Sequence, residues 1–183
     1  MDALSRRKNI FGDTIRREVT MKYLDIVELL VDKDEYKEKG VQKGMRGRIT
    51  YDEEREKFIT VYFVLNIEGS CVCGSALDIP ERELKVVDEL TFLNGEKIVL
   101  PFNEYARVVV TEEKEKYTDD GVHKCFDGWI CDPRRIEKTR LVCFDNVDFS
   151  PFPIISVKER DMEVVIPAPC DLIDYEEWSK KGK

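Results

Sequence analysis

Residues 36–49 read Tyr-Lys-Glu-Lys-Gly-Val-Gln-Lys-Gly-Met-Arg-Gly-Arg-Ile, and residues 117–130 read Tyr-Thr-Asp-Asp-Gly-Val-His-Lys-Cys-Phe-Asp-Gly-Trp-Ile. The two stretches are 81 residues apart. Extending the shift outward lays 27–63 over 108–144 without a gap, with twelve identities in 37 positions, including Val27 on Val108, Gly47 on Gly128 and Phe63 on Phe144. Chance would supply roughly two or three. A second block, Glu81-Arg82-Glu83-Leu84-Lys85-Val86-Val87, matches Glu159-Arg160-Asp161-Met162-Glu163-Val164-Val165 at an offset of 78. The chain therefore reads as one small unit written twice, three residues shorter the second time.

Each copy carries a strand pattern. Val27, Leu29 and Val31 alternate with Glu28, Leu30 and Asp32, a period of two with one apolar face. A charged loop, Lys33 to Lys39, follows. Gly44-Met45-Arg46-Gly47 reads as a turn, with Gly47 at a bulge or tight bend entering a second strand. Phe58 to Leu65 is β-branched and aromatic, a third strand. Cys71-Val72-Cys73 predicts a short fourth strand, and Leu84 to Val87 a last one. Ile79-Pro80-Glu81-Arg82-Glu83-Leu84 predicts one tight helical turn, Pro80 suiting a first helical position.

Between the copies Asn94-Gly95 is a strong hairpin signal, because both residues tolerate positive φ. That hairpin is expected to pack on one or both copies. Leu4, Phe11, Ile15 and Val19 lie near one face of an N-terminal helix, and Asp171 is placed to cap a final helical turn. The expected organisation is a basic helical arm over 1–23, a first unit over 24–88, a linking hairpin over 89–103, a second unit over 104–166 and a C-terminal tail over 167–183.

Five short strands, a long charged first loop and a helical turn before the last strand resemble the small SH3-like barrel, whose relatives include the KOW-type barrels of ribosomal and transcription proteins. The resemblance is carried by Val27 to Val31, Gly44 to Gly47 and Ile79 to Leu84, and in the second copy by Gly121 to Ile130 and Leu141 to Phe144. It implies a mostly β fold of two tandem SH3-like barrels. A shared fold does not by itself fix function.

Composition narrows the chemistry. The chain has 183 residues and a net charge of -8. The first 23 residues hold six basic side chains against three acidic ones, leaving a +3 arm on a -11 body. No apolar stretch approaches the roughly 18 residues that span a bilayer, and the charged N-terminus is unlike a signal peptide, so a cytoplasmic protein with six reduced cysteines is expected. Catalysis finds little to work with. His123 is the single histidine and its repeat counterpart is Gln42; no Gly-x-Ser-x-Gly elbow and no Gly-rich phosphate loop occurs. The expectation is not an enzyme, and no cofactor.

Three binding chemistries remain. His123, Cys125, Cys131 and Cys143 offer imidazole and thiolates for zinc, set against the absence of CxxC knuckles and the reading of Cys125 and Cys143 as small buried core residues. Cationic side chains for nucleic acid are Arg6, Arg7, Arg16 and Arg17 in the arm, and Arg134 and Arg135 beside Trp129, a stacking corner; the acidic body opposes this.

Protein binding leads. Tyr36 and Tyr117 hold equivalent places in the charged loops, either as anchors for a partner or as pins that fix the loop to the barrel. Trp178, spaced by three from Tyr175, is either a docking residue or a barrel cap. A sharper version casts the chain as an acidic inhibitor that fills the cationic channel of a nucleic-acid enzyme, as mobile-element anti-defence proteins do. Glu112, Glu113, Asp119 and Asp120 would then stand in for phosphates.

Overall fold

The computed structural model describes residues 21–51, 58–68, 71–132, 134, 136–145 and 153–168. The N-terminal arm with Arg6, Arg7, Arg16 and Arg17, the tail with Trp178, and Arg135 lie outside these. The chain is mostly β, built as two five-stranded antiparallel sheets.

The first sheet contains β1 (Ile26–Leu29), β2 (Arg46–Tyr51), β3 (Phe58–Glu68), β4 (Cys71–Pro80) and β5 (Leu84–Val87), in the order β4-β3-β2-β1-β5. The second contains β6 (Arg107–Val110), β7 (Asp127–Ile130), β8 (Thr139–Phe144), β9 (Ile154–Lys158) and β10 (Met162–Ile166), in the order β10-β6-β7-β8-β9. In each, the first strand lies between the second and the last. One helical turn sits in the first loop, α1 (Asp34–Lys37) and α2 (Glu115–Thr118), and one 3-10 turn precedes the last strand, at Glu81–Glu83 and Glu159–Asp161. Neither sheet closes on itself as a barrel would: the first and last strands of each order are its open edges.

Matched residues do matched work. Leu24 and Tyr105 both enter their units with positive φ (69° and 67°), and Gly40 and Gly121 both end the loop helix at 77°. At the next turn Gly44 has φ 85° and Cys125 has φ 70°. The Gly44 and Cys125 amides donate to the carbonyls of Leu29 and Val110 at 2.8 and 2.9 Å. The second copy thus places a side chain where the backbone favours glycine, at a cost of order 1–2 kcal/mol. Cys125→Gly is expected to stabilise the chain by about 1 kcal/mol in urea unfolding.

Gly47 stands within β2, directly opposite Phe63, and the register shift of that pair falls between Ile49 and Tyr51 instead. It is therefore no bulge. A Cβ there would come within 2.6 Å of Val61 Cγ1 and 2.7 Å of the Tyr62 carbonyl oxygen, so close approach of β3 is what demands glycine. The fourth strand is longer than its sequence suggests. It runs to Pro80 because β3 pairs with it all the way from Glu68↔Cys71 to Phe58↔Pro80, overriding the weak strand propensity of Gly74-Ser75-Ala76. Pro80 consequently ends β4 and precedes the 3-10 turn.

Val27, Leu29, Ile49, Val61, Phe63 and Ile79 form the centre of the first core, all fully buried. The second core holds Val108, Ile130, Val142, Phe144 and Val157, together with Leu90, Ile98 and Leu100 of the linking segment and Tyr62 and Val64 of β3. The linking segment turns at Gly95, whose amide donates to the Phe92 carbonyl at 2.9 Å, with a bridge between Thr91 and Lys97. The units also meet at Arg48 of β2, which donates to the Leu24 carbonyl at 3.0 Å and pairs with Glu163 of β10 at 3.5 Å. Among the described residues no helix is long and apolar enough to cross a membrane.

Candidate functional site

Lys33 and Tyr36 lie in the first loop, at and beside α1; Glu83 is the last residue of the 3-10 turn. The sheet brings them together because β5, which the turn feeds, lies beside β1, which the loop leaves. Tyr36 Oη donates to Glu83 Oε2 at 2.9 Å, and Lys33 Nζ lies 2.9 Å from Glu83 Oε1. The second unit repeats this triad: Tyr117 Oη donates to Asp161 Oδ2 at 2.8 Å, and Lys114 pairs with the other oxygen of Asp161. Burial acts to raise both carboxyls, and the lysine and tyrosine donors outweigh it, so Glu83 and Asp161 titrate below their ordinary ranges. Tyr36 and Tyr117 are 5% and 1% exposed. They are pins and do not stand outward as anchors: a phenol held by a buried carboxylate fixes the charged loop against the last strand.

Pinning the loop leaves a groove beside it in the first unit. The groove holds about 430 Å³ and is lined by Lys33, Glu35, Tyr36 and Lys39 of the loop, Phe58 of β3, Leu77, Asp78 and Pro80 of β4, and Arg82 of the 3-10 turn. Phe58 is 48% exposed. A half-exposed phenyl ring in a concave, mixed-charge setting gains by covering. In the second unit Thr139 and Lys158 occupy the places of Phe58 and Pro80, pairing across β8 and β9 as Phe58 and Pro80 pair across β3 and β4. There the Lys158 amide donates to Tyr117 Oη at 3.2 Å, a bond that Pro80 has no N–H to make. The aromatic and proline floor is thus particular to the first unit.

A larger hollow, about 530 Å³, runs along the seam between Met45, Leu65 and the linking segment at Phe92 and Leu93. It presents no exposed aromatic ring, and its walls are the packing seam of the hairpin on β3.

The other residues singled out from sequence fall as follows. Glu112, Asp119 and Asp120 are exposed around α2. Glu113 holds the turn after α2 in place. Its Oε2 accepts from the Lys124 amide at 2.6 Å and its Oε1 lies 2.9 Å from His123 Nδ1, which together hold its carboxyl below the usual range. Asp32 caps the matching Lys43 amide at 3.0 Å. Cys143 is buried in β8, as a core residue should be, whereas Cys125 is exposed because it sits at the turn before β7 and not in the core; the Cys131 thiol lies 3.5 Å from the Leu141 carbonyl. Among the described residues no three or more His, Cys, Asp or Glu side chains are grouped to hold a metal ion.

Arg134 is forked on Asp132 (Nε to Oδ1 2.9 Å), which pulls the Asp132 carboxyl down to about 2. Trp129 is half-buried with the Arg107 guanidinium 5.9 Å from its ring, and Arg107 is itself bonded to Asp127 at 2.7 Å and Asp145 at 3.1 Å.

The chain matches no known protein family, and neither a curated protein nor a solved structure is significantly similar to it.

Sequence reasoning missed Phe58, Leu77, Pro80 and Arg82 as a group. The available signal was divergence between the copies: an aromatic and a proline replaced by threonine and lysine, within segments whose core positions agree.

Proposed function

We infer that the chain is a non-catalytic protein-binding module, two SH3-like units in tandem, whose partner seats in the loop groove of the first unit. The strand order shared by both sheets, with the loop helix and the 3-10 turn in corresponding places, supports the SH3-like reading. Small β units of this kind can recognise proteins through grooves lined with aromatics. The observation that carries the proposal is Phe58, left half-exposed on a floor with Leu77 and Pro80 in a groove of about 430 Å³, where its counterpart Thr139 lines a hollow of about 90 Å³. The second unit then serves as a scaffold that fixes the first through the linking segment.

The test is affinity capture from cells that make the protein. Phe58→Glu is expected to lose the captured partner at least about tenfold, a loss of about 1.4 kcal/mol, while keeping the wild-type melting temperature. Retention of the partner by this variant would refute the groove.

The acidic-inhibitor reading draws on a different surface, the exposed Glu112, Asp119 and Asp120 around α2. Its partner would be a basic enzyme channel, bound in a salt-dependent manner. Joint reversal of these three residues to Lys removes a partner held there and leaves one held at Phe58 in place. Glu113 is unsuited to that experiment because reversing it also breaks the turn it caps.

A further inference from the structure

Four strands lie at sheet edges, and three of them are guarded. β5 is four residues long with Lys85 exposed; β9 is five residues long and ends in Lys158; β10 carries Glu163 and a register shift between Val164 and Ile166. Short length, charge and irregularity are what keep edges from pairing with other chains. β4 has none of them along most of its length. It runs ten residues, Cys71–Pro80, and carries one charge, Asp78. The register shift of the β3–β4 pair places its extra residue in β3, at Leu65, so β4 itself is regular. Among the described residues no strand pairs with its outer side.

We propose that β4 pairs with β4 of a second copy, antiparallel across a two-fold axis, so that the two first-unit sheets become one ten-stranded sheet. A strand meeting itself antiparallel is self-complementary in backbone donors and acceptors, the condition a two-fold interface requires. Centred on Ser75, the pairing sets Ser75 opposite Ser75 of the second copy and Gly74 opposite its Ala76. The small residues Gly74, Ser75 and Ala76 therefore sit at the axis, where crowding would be greatest. Asp78 faces Val72, so no like charges oppose.

Sedimentation velocity on the full chain at about 100 µM is expected to give twice the mass of one chain, 21.4 kDa. Ala76→Lys, which leaves the β3 ladder intact, is expected to raise the dissociation constant by about 30-fold. N–H groups of consecutive strand residues point to opposite edges, so Ser75→Pro and Ala76→Pro act differently. One loses a bond to β3 and is destabilised; the other loses only an edge donor and is expected to be a folded monomer. Alternate amides between Val72 and Asp78 should gain exchange protection as protein concentration rises. A wild-type monomer, an assembly larger than two, or a dimer indifferent to Ala76→Lys overturns the proposal. The Phe58 groove shares Leu77, Asp78 and Pro80 with β4 and is read separately, by partner capture.

Discussion

Gly128→Ala is expected to destabilise the chain by about 3 kcal/mol or to prevent folding, the largest effect of any single methyl group in the second unit. Gly128 lies in β7 directly opposite Phe144 of β8. A Cβ there would run into the Cys143 carbonyl and reach 3.0 Å from both the Phe144 ring and Val142 Cγ1. All three are fixed, the first by the backbone and the others by full burial. The counterpart in the first unit, Gly47 opposite Phe63, is just as tight, and Gly47→Ala is expected to cost a similar amount. Equilibrium urea unfolding of both variants checks this. A loss below about 1 kcal/mol in either would mean that the two strands do not approach as closely as described.

Lys114→Met is expected to cost about 2 kcal/mol at pH 7, because it leaves the Asp161 carboxylate, 1% exposed, without its nearest countercharge. Arg160 at 3.5 Å and Tyr117 retain part of the compensation. The pH dependence follows from the sign of the shift. In the wild type the folded-state pKa of Asp161 is depressed, so its stabilisation is present above the ordinary aspartate range and is lost as pH falls through the folded value. In the variant that depression is weakened or reversed. The two proteins should therefore differ most near neutrality and converge in acid, once Asp161 is protonated in both. Stability curves between pH 7 and about 3 decide it; a difference independent of pH would assign the lysine a packing role only.

Much of this architecture was written plainly in the residues. The shift of 81 aligned Tyr36 with Tyr117 and Gly47 with Gly128, and the structure gives each pair one job. The short 3-10 turn was foreshadowed by Pro80-Glu81-Arg82-Glu83. Other features depend on pairing that local sequence does not record. β4 reaches Pro80 because β3 holds it in register, and Gly47 is a contact point where a turn residue seemed to stand. Glu83 and Asp161 were visible as the matching acids of the second repeated block, yet nothing local said that a tyrosine 47 or 44 positions upstream would bind them. Phe58 was hardest to see, since an aromatic at the start of a β-branched run reads as core. Its exposure is a tertiary fact.

The claim that the first unit holds the partner and the second supports it is tested most directly by placing a photo-crosslinking phenylalanine analogue at position 58 and, separately, at position 139, then irradiating cells that make the protein. The expected result is a discrete protein adduct from position 58 and none from position 139. Equal adducts from both positions, or an adduct from 139 alone, would contradict it.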